Sequence, residues 1–130
     1  ALAHCEGEEV AVHDGVRPLV SLDTIERCFE ALSGAQAVVP VLPAKDSIRK
    51  GTLQNSETVN RAEFFLVHTP QCFKTAVLKK AYEQNYQSTF TDDASVAEAI
   101  GIQPILVLSN EENIKITSPF DLKLLNNLLT

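Results

Sequence analysis

The chemistry open to this chain rests on a few charged and hydroxyl side chains. Asp14 and Arg17, in Val12-His13-Asp14-Gly15-Val16-Arg17-Pro18, place an acid and a base just after an apolar run. Such a pair can orient a hydroxylated or anionic ligand. It can equally be a local turn, with Asp14 capping backbone N–H groups and Arg17 paired to it. Ser47, Arg49, Lys50 and Arg61 decorate a polar stretch whose plain reading is a solvated hairpin. Thr91-Asp92-Asp93 has the composition of a helix N-terminus, with caps and dipole-favoured acids. Lys115, between Ile114 and Ile116, is turned by strand alternation away from their face, toward a pocket or toward water.

A strong nucleophile signature is missing: there is no G-x-S-x-G, no S-x-x-K, and no Cys/His pairing that sequence supports. The expected chemistry therefore has no covalent intermediate. The glycines stand at positions 7, 15, 34, 51 and 101, so neither G-x-G-x-x-G nor a Walker loop can be written. A nucleotide phosphate loop is absent from this stretch or of another kind. Cys5, Cys28 and Cys72 form an odd, widely spaced set, which argues against a disulfide framework and a structural zinc site. A reducing compartment, most simply the cytoplasm, follows from that usage. His4, His13 and His68 have no metal-ligand spacing and read as structural.

These groups must be held by a fold. A chain of 130 residues, 45% hydrophobic and 22% charged, has the composition of one globular domain. No apolar run reaches the roughly 18 residues a membrane span needs, and no signal peptide is visible. The net charge of -6 repels nucleic acid and anionic membrane, so neither is an expected partner and any anionic ligand must be caught locally.

Val10 to His13 reads as a buried strand ending in polar residues, and Ala37 to Leu42 as a second, with Pro40 marking a bulge or unpaired position. Between them, Ser21 caps a helix carrying Ile25, Cys28, Phe29 and Leu32 on one stripe and closed by Gly34. Strand, helix and strand read as a parallel crossover. Asp46 to Arg61 is a polar hairpin or arm turning at Gly51. Lys74 to Tyr86 and Asp92 to Ile100 are helical, Ile105 to Leu108 and Ile114 to Ile116 are strands, and Ser118-Pro119-Phe120-Asp121 opens a last helix through Leu129. Ala1 to Cys5 resembles the tail of a helix. The class is α/β.

In order along the chain stand Val12 to Pro18, Lys45-Asp46-Ser47-Ile48-Arg49-Lys50, Val59-Asn60-Arg61, Thr69-Pro70-Gln71-Cys72-Phe73, Thr91-Asp92-Asp93-Ala94-Ser95 and Asn113-Ile114-Lys115-Ile116-Thr117-Ser118-Pro119. Together these segments resemble the 2-C-methyl-D-erythritol 4-phosphate cytidylyltransferases of non-mevalonate isoprenoid biosynthesis. The resemblance implies a Rossmann-like nucleotidyltransferase fold, similar to glycosyltransferase-A domains: three layers, a mixed and mostly parallel sheet, and a protruding β-arm. It implies cytidylyl transfer from CTP to the methylerythritol phosphate, with Mg²⁺, giving the diphosphocytidyl product and pyrophosphate. The acceptor phosphate is already ionised, so catalysis reduces to holding two polyanions in line and neutralising developing charge.

By resemblance, Arg61, Lys115 and Asp14 are the catalytic positions. Arg17, Ser47, Thr69 and Thr91 are the substrate-binding ones, and Asp14 is the one candidate to meet a metal. Residues 46–61 resemble a dimerisation arm, so that Ser47 and Arg61 would complete the other subunit's site in a homodimer. The family's glycine-rich CTP loop has no counterpart here. Residues 1–130 are therefore expected to be the carboxyl-terminal portion of one nucleotidyltransferase domain, inactive alone. Ser47 for threonine, Asn60 for aspartate and Gly15-Val16 for two alanines are departures that remove none of these donors. Ribitol-5-phosphate cytidylyltransferase is the nearest rival; a non-catalytic dimerisation and sugar-phosphate-binding module is the alternative of another class.

Overall fold

The computed structural model describes residues 1–130. β1 (Glu9–Val12) is followed by helix α1 (Leu22–Leu32) and β2 (Ala37–Pro43). β3 (Arg49–Gly51) and β4 (Ser56–Thr58) form a hairpin with its own two-stranded sheet. Then come β5 (Phe65–Val67), β6 (Gln71–Lys74), α2 (Thr75–Ala81), α3 (Asp93–Glu98), β7 (Ile105–Leu108) and α4 (Pro119–Leu129).

α1 forms where its capping chemistry allows: Ser21 Oγ accepts the Thr24 N–H at 3.1 Å, and Thr24, Cys28 and Leu32 recur every four residues on its buried face. α4 starts with a full capping box between Ser118 and Asp121 and a proline at its first turn, as the sequence signals. α2 stops at Ala81, short of the expected Tyr86. The Gln84 side-chain amide donates to Ala81 O and to Val96 O, both at 2.8 Å, so the chain turns toward α3 instead of continuing. Gly51 ends β3 rather than forming the turn, which spans Thr52 to Asn55. Its φ of +139°, and the clash that a Cβ would make with Asn55 O, leave room for glycine alone.

The main sheet runs β1-β6-β2-β5, with β7 on the far edge of β2. β1, β2 and β7 share one direction, as a Rossmann-like crossover requires, and β5 and β6 run against them. The sheet is therefore mixed, with its larger set of strands parallel. Its ladders add a detail the sequence did not show: β1/β6, β2/β6 and β2/β5 are antiparallel, and β2/β7 is the parallel pair. The reason is β6, which inserts between β1 and β2. β5 and β6 were not legible as strands, being three and four residues long and separated by the short stretch through Thr69-Pro70. Ile114 to Ile116 is not a strand either. Its segment makes one bond across, Ile116 N–H to Val16 O, with no ladder to join.

Side chains alternate across the sheet and create three layers. Val38 and Cys72 face α1, packing with Cys28 and Leu32. Ala37 and Phe73 face α2 and α3, packing with Leu78 and Ala97, and Val39 and Val41 meet Ala94. The three cysteines are free thiols, with Cys28 and Cys72 in the core. No helix is long and apolar enough to cross a membrane.

Phe73 is 0% exposed between β6 and the α2/α3 layer, whereas Leu106 on β7 is 47% exposed. Phe73→Ala is expected to cost about 3–5 kcal/mol in urea unfolding, and Leu106→Ala under about 1 kcal/mol. Equal losses would show that the core is not where these three layers place it.

Candidate functional site

The site begins as a defect in the sheet. Between Val38 and Val41 on β2 the facing chain runs from Cys72 to Val67, two residues longer than a regular ladder would need. Pro40 sits opposite that excess. In a strand a residue's N and C=O point to the same edge, and Pro40 O accepts the His68 N–H at 2.8 Å, so its missing N–H lies on the same side. The irregularity expected at Pro40 is thus a bulge in its neighbour. That bulge lifts Thr69 out of the sheet beside the end of β1. Thr69 Oγ1 accepts the Asp14 N–H at 3.0 Å and lies 2.8 Å from His13 Nδ1. His13 Nε2 must donate to Arg17 O at 2.9 Å, because a carbonyl only accepts.

Arg17 fastens this turn to the rest of the molecule. It is only 9% exposed. Its Nε donates to Asp14 Oδ2 at 3.0 Å, Nη1 to Asn113 O at 2.7 Å and Nη2 to Val67 O at 3.4 Å. Asn113, fully buried, donates through Nδ2 to Thr69 O at 2.8 Å and to Ser109 Oγ at 3.2 Å. His68 Nδ1 lies 2.9 Å from the same Ser109 hydroxyl. Burial, then the Arg17 charge, push the His68 pKa down, so the ring is neutral at pH 7.

Above this platform opens a polar pocket of about 340 Å³, lined among others by Asp14, Arg17, Thr69, Gln71, Thr91 and Lys115. Lys115 Nζ stands 3.4 Å from Asp14 Oδ2, which it shares with Arg17. Burial alone would raise the Asp14 pKa. The hydrogen bonds and charges of Arg17 and Lys115 together outweigh it and hold the carboxyl below its ordinary range. The Lys115 side chain is about half exposed, a long-stemmed cation at the mouth of an acidic protein's pocket. The arrangement can grip a ligand carrying both phosphate and hydroxyls, and it holds no activated nucleophile.

The structure brings together Asp14, Arg17, Thr69, Thr91 and Lys115. It does not bring Ser47 or Arg61 to them. Ser47 is exposed at the root of the β3–β4 hairpin, and the exposed Arg61 directs its guanidinium to Lys45 O. Lys115 reaches the pocket from an extended loop rather than a strand. Sequence reasoning gave no role to Gln71 or to the buried Asn113; buried amides between β-formers carry no periodic signal. As to a metal, no three ligating side chains converge. Asp14 Oδ2 is taken by two cations, and both Asp92 oxygens are hydrogen-bonded, to Ser95 N–H and Gln71 Nε2. These residues do not fit a resident metal site.

A three-layer α/β sheet, mixed with its larger set of strands parallel and with a polar pocket at its strand ends, is the architecture of a nucleotidyltransferase. Residues 1–130 match the family model described as 2-C-methyl-D-erythritol 4-phosphate cytidylyltransferase. The chain belongs to that family. It is 51% identical over 129 residues to the protein of that name from Phocaeicola vulgatus, covering 98% of this chain and 59% of the relative, and 52% identical over 120 residues to that from Bacteroides fragilis, covering 92% and 55%. The crystal structure of the Thermus thermophilus protein of the same name superposes with a TM-score of 0.88 at 36% identity, covering 98% of this chain and 64% of that one. The Francisella tularensis protein gives 0.84 at 33%, with 96% and 63% covered. The chain thus spans a little over half the length of the curated relatives it matches.

The depressed Asp14 pKa carries a sign. Its stabilising contribution is complete above the unfolded-state pKa near 4 and is lost as pH falls through the lower folded-state value. The gap in urea midpoint between wild type and Asp14→Asn is expected to be largest at neutral pH and to narrow as pH drops from about 5 to 3. A gap that stays constant over that range would mean that the ion pairs with Arg17 and Lys115 add nothing.

Proposed function

We propose that the complete protein transfers a cytidylyl group from CTP to 2-C-methyl-D-erythritol 4-phosphate, and that this chain supplies the acceptor side of the site. The observation that carries the reading is the convergence of Asp14, Arg17, Thr69, Thr91 and Lys115 in one polar pocket at the strand ends. An acceptor phosphate oxygen attacks the α-phosphorus of CTP; the new P–O bond forms as the bond to the β-phosphate oxygen breaks, and pyrophosphate leaves with the electron pair. No general base is required, because the attacking oxygen is ionised at neutral pH. Lys115 contributes charge neutralisation, the hydroxyls of Thr69 and Thr91 contact the phosphate or polyol, and Asp14 accepts from sugar hydroxyls while restraining Lys115. Arg17, with its guanidinium committed to three protein acceptors, acts chiefly by fixing Asp14.

Mg²⁺ belongs to this reading as an ion brought by the nucleotide phosphates. Magnesium commonly uses one or two carboxylates beside phosphate oxygens, and the pocket offers Asp14 Oδ1 and Asp93 Oδ2. No step above depends on it. Residues 46–61 are proposed as the arm of a cytoplasmic homodimer, placing Ser47 and Arg61 in the partner's site. That assignment gives the exposed hairpin, and an Arg61 far from the pocket, a common reason.

In the complete protein, Lys115→Ala and Arg61→Ala are each expected to lower kcat/KM for the acceptor by about 100-fold, with the KM for CTP changed far less. Unchanged acceptor kinetics would remove the residue from the site. Mixed Arg61→Ala and Lys115→Ala subunits are expected to recover activity in verified heterodimers, and failure to do so would refute a shared site. Pyrophosphate release should be faster with methylerythritol phosphate than with ribitol 5-phosphate; the reverse order would overturn the substrate assignment. Residues 1–130 alone are expected to release none.

A further inference from the structure

We propose that Gln71 is a positioning residue of the acceptor pocket, setting where Thr91 stands relative to Asp14 and Lys115. Gln71 is the first residue of β6, paired with Val12 at the end of β1, and is 2% exposed. Both ends of its amide are used. Oε1 accepts the Ala94 N–H at 2.9 Å, and Nε2 donates to Asp92 Oδ2 at 3.0 Å. Asp92 in turn caps α3, its Oδ1 accepting the Ser95 N–H at 2.8 Å. Ser95 Oγ then takes the Thr91 N–H at 3.0 Å.

One buried amide therefore connects the strand paired with β1, which ends in the Asp14 turn, to the first turn of α3, and through it to Thr91. The polarity of the link is fixed at both ends. A backbone N–H can only donate, so Oε1 must face Ala94; an ionised Asp92 can only accept, so Nε2 must face it. The amide cannot flip without losing both bonds. The N–H groups of Ala94 and Ser95 are thereby satisfied within the protein, so neither is left to hold an anion. Thr91 and Lys115 remain to do that, and the separation between them depends on Gln71. The proposal rests on the acceptor-site reading above, since it assigns Gln71 to the acceptor and not to CTP.

The test is a polarity swap in the complete enzyme. Gln71→Glu sets a carboxylate against Asp92, and Asp92→Asn sets an amide donor against Gln71 Nε2. Each single variant is expected to raise the acceptor KM by about tenfold or more, the scale of losing a hydrogen bond to a charged group, with the KM for CTP within about twofold of wild type. In the double variant the carboxylate introduced at position 71 accepts from both the Ala94 N–H and the amide introduced at position 92, while the oxygen of that amide still caps α3. The acceptor KM of the double variant is expected to return to within about threefold of wild type. Multiplicative losses in the double variant, or equal rises in both KM values, would overturn the proposal, because a packing role predicts no rescue by reversed polarity. Amide hydrogen exchange over residues 91–95 is read in the same variants: faster exchange in each single variant and recovery in the double is expected, and unchanged exchange would refute the link. Wild-type enzyme that fails to turn over methylerythritol phosphate while exchange follows the swap would defeat the functional reading and the acceptor assignment, leaving the structural link standing.

Discussion

One buried guanidinium holds the site together. Arg17 draws the turn after β1, the last carbonyl of β5 and the loop after β7 to a single planar cation, through Asp14, Val67 O and Asn113 O. A buried cation is costly unless its donors are satisfied, so these three segments are constrained to meet where the fork directs them. The partners of Arg17 have further ties. Asn113 reaches back to Thr69, while Asn110 on the same loop accepts the Ser21 N–H at the start of α1. The end of the sheet is stitched by side-chain to main-chain bonds rather than by apolar packing. That suits a surface which must stay polar and still keep its shape.

Rigidity below the pocket contrasts with freedom at its mouth. Asp14, Thr69 and Gln71 are held on the sheet or its bulge by bonds to neighbouring segments, whereas Lys115 is about half exposed on an extended loop. A catalyst that works by alignment and charge neutralisation gains from this division. Asp14 and Thr69 are pre-organised, and the long Lys115 side chain is tied to them only through its ion pair with Asp14. The overall charge of -6 makes the local placement of Lys115 and Arg17 more consequential, because the surrounding field disfavours anions.

Packing is uneven across the molecule. The three layers around β2 and β6 are closed, but β5, β7 and α4 expose large apolar side chains, among them Phe65, Leu66, Ile105, Leu108, Phe120 and Leu129. α4 buries none of its residues. Contiguous apolar surface of this kind is normally covered by other protein. The polar pocket lies where β1, β6 and α3 meet, and of these β6 is buried over Gln71 to Phe73 and α3 buries Ala94, Val96 and Ala97, whereas β1 buries none of its residues.

Much of the fold was legible in the residues. Capping chemistry and periodicity placed α1 and α4 to the residue at their starts, and Ile105 to Leu108 was an apolar run that became β7. Asp14, Arg17, Thr91 and Lys115 were singled out by type and spacing, and Thr69 by the ordered motifs that mark the family. Such signals are local: a cap needs only its own first turn, and an apolar strand only its own composition, although β7 proves largely exposed where the sequence read it as buried. What sequence could not supply were β5 and β6, too short for a period, and with them the antiparallel insertion between β1 and β2. Nor could it distinguish the Arg17 of a local turn from the Arg17 of a three-way junction. The Asp14 pair is present in both readings, but the bonds to Val67 O and Asn113 O span 50 and 96 residues. Pairing across such separations leaves no trace in either segment alone, because a carbonyl is the same acceptor whatever its side chain. Tertiary structure decided which of the polar residues share a pocket, and it did so through backbone groups that every residue possesses.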